Sequence, residues 1–262
     1  MAAWFQELDE LLRARRTVPE LVSESGRLLP LRVFFPLAVG LGALYGFFMG
    51  WYGLIGPEEP RVMQLVASTV KVPALFLLTL LVTYPSLYVF NALVGCRLSF
   101  LATLRLLVAA VVVNLAVAAS FGPILAFFTL STTSYSFVVL LNVGLLGIAG
   151  VVGLGFLLQT LKRLARAQGW VRPTGTEPSW RRAPEEHRAA LERAPGADEL
   201  GPRSPTLVFN IWVVIYGLVG AQMGWLLRPF IGQPGAPFTW FRPRSGNFFE
   251  SVLTHLERLL GV

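Results

Sequence analysis

The polar side chains inside this chain's long apolar runs are neutral: Thr83, Tyr84, Ser86, Tyr88, Asn91, Asn114, Asn142, Asn210 and Gln222. Hydroxyl, phenol and carboxamide groups exchange hydrogen bonds, but they neither hold nor release a proton near neutral pH. Carboxylates are segregated from the apolar runs. No Asp or Glu occurs between Glu24 and Glu58, between Glu59 and Glu177, or between Glu199 and Glu250, and every long apolar run lies in one of these gaps. This argues against a buried carboxylate proton relay and against a carboxylate-ligated cation site. His187 and His255 fall outside the apolar runs, and Cys96 is the single cysteine. No serine-nucleophile elbow, H-E-x-x-H, P-loop or C-x-x-C motif occurs. We therefore expect no catalytic residue, no cofactor and no metal ligand set, and we read the chain as not an enzyme. Lys71 and Arg105 stand at opposite ends of their apolar runs, where each is expected to extend to its own headgroup layer.

The elements that carry these residues follow from composition. Hydrophobic residues make up 54% of the chain and charged residues only 14%, against about 25% charged in soluble domains. The net charge of +7 reads as cations flanking membrane helices, not as a nucleic-acid surface. An all-α polytopic bundle of five transmembrane helices is expected, at about 33–55, 72–95, 104–130, 135–161 and 206–231. The first span is expected to act as an uncleaved signal anchor, because no compact basic region precedes a short apolar core.

Small residues mark the packing faces. Gly42, Gly46 and Gly50 recur every four residues in the first span, and Gly220 and Gly224 repeat that spacing in the fifth. Glycines so placed line one helix face and admit a second backbone. The fourth span carries Gly144, Gly147, Gly150 and Gly153. Pro73 is expected in the first turn of the second span, where its missing N–H costs little, and Pro85 in mid-span, where it kinks the helix. Tyr84, Pro85, Ser86, Asn91, Asn114 and Asn142 thus form an intramembrane polar and kink set. Two readings stay open for it. One is hydrogen bonding between helices; the other is a polar path or headgroup pocket around Pro85.

Both ends of the chain read as amphipathic helices for the membrane interface. At the N-terminus, over 1–30, Trp4, Phe5, Leu8, Leu11 and Leu12 share a face. Residues 61–70 read as an interfacial half-turn before the second span. At the C-terminus, 232–262, Trp240 and Phe241 suit a headgroup boundary, Asn247 and Glu250 have the spacing of a capping box, and Phe248 and Phe249 open the apolar face. Residues 162–205, rich in proline and arginine, read as a flexible cytoplasmic loop.

Cations concentrate on one side: Arg13, Arg15 and Arg16 precede the first span, and Lys162, Arg163 and Arg166 follow the fourth. By the positive-inside rule the N-terminus is cytoplasmic and the C-terminus outside. Cations are nearly all arginine, a usage associated with bacterial genomes of high GC content, so the expected location is a bacterial inner membrane.

The segments Lys71-Val72-Pro73, Tyr84-Pro85-Ser86 and Asn91-Ala92-Leu93-Val94-Gly95, set in a five-span pattern, resemble the Yip1 family. The resemblance covers about 33–231. It implies a five-span membrane protein that acts through protein contacts in membrane trafficking, and it brings no catalytic residues. The reading is a non-catalytic membrane scaffold or subunit of a larger assembly, with lipid and either protein partners or further copies of itself as its contacts, and no nucleic acid. The alternative is an oligomeric channel or transporter near Pro85; a membrane enzyme is the remote third.

Overall fold

A computed structural model describes residues 2–13, 31–55, 61–93, 100–167, 205–232, 237–243 and 246–261 of the 262-residue chain. Secondary structure among the described residues is entirely helical: α1 (Ala2–Leu12), α2 (Leu31–Gly50), α3 (Tyr52–Ile55), α4 (Val62–Leu93), α5 (Phe100–Ser131), α6 (Tyr135–Ala167), α7 (Pro205–Leu226) and α8 (Phe248–Leu260). A chain this apolar satisfies its backbone within each segment, and helices do that residue by residue.

Four stretches are long and apolar enough to cross a membrane: Leu31–Leu54, Val62–Val89, Thr103–Ser131 and Tyr135–Thr160. Ile211–Leu226 of α7 is a shorter apolar stretch. Helices α4 to α6 each run for 32 or 33 residues, or about 48 Å. That exceeds a hydrocarbon core of about 30 Å and leaves whole turns in the headgroup layer.

The helices close into a ring. α2 packs on α4 and α5, α5 on α6, α6 on α7, and α7 back on α4, while α1 rests on α5 and its Leu11 is fully buried. The α2–α4 seam brings backbone against backbone. A Cβ on Gly46 would collide with the carbonyl oxygen of Ser68. On Gly42 it would stand 3.0 Å from Pro73 Cα, and on Gly50 2.8 Å from Leu65 Cα. The same device recurs where Gly122 of α5 receives the Phe48 ring and where Gly153 of α6 meets Asn114. Close backbone approach supplies the dispersion contact that replaces the hydrophobic effect between helices in lipid.

The second long helix differs from its expected form. It begins at Val62, not near residue 72, so residues 61–70 are no half-turn and Pro73 lies well inside the helix. Gln64, Ser68 and Lys71 therefore project from a continuous helix, and the reason they are tolerated lies elsewhere in the chain. Expectations for residues 14–30 and 168–204, and for Gly95 and Cys96, fall outside the described residues.

Candidate functional site

Gln64, Ser68 and Lys71 occupy one face of α4, spaced four and three residues apart, and all three are buried. Burying such groups is costly unless each finds a partner. The partners come from the segment that follows α7. Its prolines and glycines prevent helix, so its carbonyls carry no intrahelical bond and are available as acceptors. The chain turns at Arg228–Pro229, a cis peptide bond. Gln64 Nε2 donates to Phe230 O at 2.6 Å, and the single proton of Ser68 Oγ is shared between the same carbonyl and Gln64 O. Lys71 Nζ donates to Pro229 O at 3.0 Å and to Trp240 O. The ammonium also faces the Phe241 ring, 5.0 Å from its centroid, and the Trp240 ring at 6.0 Å. Lys71 is thus covered by the chain and does not end in open solvent. It is 4% exposed, held by carbonyl dipoles and aromatic faces.

Beside this cap a cavity of about 530 Å³ opens between α4, α6, α7 and α8. Met49, Val72, Leu75, Val139 and Leu146 make its lower wall apolar. Asn142 also lines it, but its Oδ1 already accepts from the buried Tyr45 hydroxyl at 2.7 Å. Arg228, Arg242, Arg258 and His255 form the upper wall, with Glu250 the carboxylate among the lining residues. The Arg228 guanidinium stacks 3.3 Å over the Trp225 ring and donates to Pro243 O at 2.8 Å. Burial, and then the charge of Arg242, hold the Arg228 pKa below its ordinary value. Arg242 and Arg258 both act electrostatically on the Tyr135 hydroxyl.

Helix α8 supplies one side of the cavity. Asn247 caps it, its Oδ1 accepting from the Glu250 N–H at 2.9 Å. Its His255 Nδ1 lies 3.1 Å from Ser136 Oγ of α6, and the imidazole meets the Tyr135 ring edge-on. Burial, and secondarily Arg258, lower the His255 pKa and favour the neutral ring. A serine–histidine contact becomes a nucleophile–base pair when a third group orients the imidazole. Among the described residues no hydrogen bond holds the other ring nitrogen, and no three His, Cys, Asp or Glu side chains converge as a metal site.

The residues singled out in the sequence are dispersed. Tyr84 is buried, Pro85 is exposed, and Ser86 lies between Thr83 O, to which it donates at 2.6 Å, and Trp212 Nε1, from which it accepts at 3.1 Å. Thr79 and Thr83 likewise donate to carbonyls of their own helix. Asn114 is buried against Gly153, and its Oδ1 has no partner among the described residues. A Cβ on Gly220 would stand 3.6 Å from Thr79 Cγ2, whereas one on Gly224 would have nothing within 4 Å, and Gly224 lines the cavity. Trp240 and Phe241 keep outward faces exposed above Lys71, and Phe248 and Phe249 form an edge-on pair at the start of α8. Trp4 and Phe5 are helical, but their side chains, like that of Asn91, lie outside the described residues.

Sequence reading passed over Gln64 and Ser68, although their spacing with Lys71 was visible. It also passed over Arg228, Arg242 and Arg258, which nothing in the linear order connects. Comparison with known proteins finds no matching family model, no matching curated protein and no matching solved structure.

Proposed function

We propose that this chain is a non-catalytic integral membrane protein that serves as a scaffold or subunit of a larger membrane assembly. In this reading α7 is a fifth span: its 22 residues rise about 33 Å and complete the ring of helices. The N-terminus lies in the cytoplasm of a bacterium and the C-terminus outside. α1 and α8 are the amphipathic interfacial ends, with Trp4, Phe5, Trp240, Phe241, Phe248 and Phe249 at the headgroup boundary. The resemblance to the Yip1 family, whose members act through protein contacts, belongs to the same reading.

One observation carries it. The chain uses two of its glycine series differently. Gly42, Gly46 and Gly50 are spent inside, against α4. Gly144, Gly147 and Gly150 of α6 have nothing within 4 Å, and Ile148 and Val151 beside them are exposed, Val151 at 73%. A glycine-lined outer face admits another helix as closely as the inner one does. Near Pro85 the Thr79, Thr83 and Ser86 hydroxyls donate to carbonyls of their own helix, and Ser86 accepts from Trp212 of α7, which favours packing over a solute path.

The test is the mass of the gently solubilised complex. Assembly predicts a species heavier than one chain, and Gly147→Leu reduces it to the single chain without altering thermal unfolding. A monomeric wild type with no co-purifying protein overturns the proposal.

A further inference from the structure

We propose that the cavity between α4, α6, α7 and α8 binds an anionic amphiphile: a lipid whose net negative phosphate head sits among Arg228, Arg242 and Arg258 and whose acyl chain descends past Val72, Val139 and Leu146.

Three independent features of the cavity support this. The first is size. About 530 Å³ lies within the range of sites that enclose a small organic molecule, enough for a headgroup and the upper part of a chain. The second is polarity, which is divided between the two ends. The lower wall is aliphatic, and its one amide acceptor is already occupied by Tyr45. The upper wall gathers three guanidiniums around a single lining carboxylate, Glu250. Arg228, Arg242 and Arg258 all line this one cavity. Arginine is suited to phosphate, because its planar fork gives several N–H donors to phosphate oxygens at once. The third is depth. Arg228 follows the end of the apolar stretch Ile211–Leu226, and the cavity's Tyr135 opens the apolar stretch Tyr135–Thr160. The cations therefore stand where a lipid phosphate stands, and the aliphatic wall where its chain stands. At Gly224 the α7 wall lacks a side chain, and the space beyond it is open.

Binding here does not depend on whether the chain assembles with partners, so the two proposals fail separately. The probes are short-chain dihexanoyl phosphatidylglycerol, dihexanoyl phosphatidylcholine, glycerol 3-phosphate and inorganic phosphate. Each is titrated calorimetrically into the full chain in a non-ionic detergent. Phosphatidylglycerol is expected to bind saturably. Phosphatidylcholine and the two chain-free anions are expected to bind at least about tenfold more weakly, the scale of a lost charged hydrogen bond. The double variant Arg242→Gln/Arg258→Gln is expected to lose phosphatidylglycerol affinity by about tenfold or more. Gly224→Leu, whose Cβ has nothing within 4 Å and which lines the cavity, is expected to lose it while keeping the wild-type unfolding temperature. Equal affinity for the two lipids overturns the proposal, as does phosphate binding as tightly as the anionic lipid, or Gly224→Leu binding as the wild type does. Should the double arginine variant fail to fold, the lipid comparison and Gly224→Leu still decide.

Discussion

The ammonium of Lys71 lies 3.0 Å from the carbonyl oxygen of Pro229, 158 residues further along the chain. With Trp240 O as its second acceptor, it fastens the segment after α7 to the middle of the ring. Lys71→Met keeps the side-chain length and removes every donor. Trp240 O then loses its Lys71 donor, at about 1–3 kcal/mol where water cannot replace it, and Pro229 O keeps only the longer bond from Gln64 Nε2 at 3.4 Å. A lower unfolding temperature in detergent is expected, with faster protease cleavage within 228–243. An unchanged temperature and cleavage pattern would show that Lys71 anchors nothing.

The α2–α4 seam has a matched control within one helix. Gly46→Ala drives a methyl into the Ser68 carbonyl, whereas Gly40→Ala enters open space. Overpacking of this kind costs about 1–3 kcal/mol, and the Gly40 change is expected to stay within about 0.5 kcal/mol. Chemical denaturation of the two variants side by side separates them. Equal stabilities would mean that the helices do not approach this closely.

Tyr45 and Asn142 form the buried bond that ties α2 to α6. Tyr45→Phe deletes it with little change of shape, and a loss of about 0.6–2 kcal/mol is expected. A double-mutant cycle with Asn142→Ala should return a coupling energy of that size. Zero coupling would dissolve the bond as a stabilising contact.

His255 gives a dependence on pH whose sign is determined by its surroundings. Ser136 and Tyr135 of α6 face it, and Arg258 lies on its own helix. Its folded pKa is held below the ordinary 6.5, so between the two values the unfolded chain binds more protons than the folded one. Stability therefore rises with pH. Above 6.5 the contribution is constant, and it is lost as pH falls below that value towards the lowered folded pKa. Thermal unfolding measured across this window should show the decline, and His255→Gln should flatten it. A decline identical in the variant would assign the effect to other groups.

The division between what was legible and what was not follows particular residues. The glycines at 42, 46 and 50 announced a close helix contact, because small side chains at that spacing have one main physical use in an apolar helix. Which helix they would meet was not legible, since Leu65, Ser68 and Pro73 carry no reciprocal mark. Asn247 with Glu250 marked the start of α8, because capping is a contact between residues three apart. Lys71 reads from the sequence as a cation at the end of its apolar run, and only partners from residues 229, 230 and 240 turn the face it shares with Gln64 and Ser68 into an interior one.

The amino-acid sequence by itself determined that this chain is helical and has long stretches suited to lipid. Both properties rest on interactions within a few turns: apolar runs, i-to-i+4 backbone bonds, and charge kept out of the runs. The tertiary structure alone decided that α2 and α4 share a seam, that a cation is buried under the chain's last third, and that three scattered arginines converge on one cavity. These depend on long-range contacts whose energy comes from shape fit and from pairing polar groups brought together by the fold, and neither is encoded in local spacing.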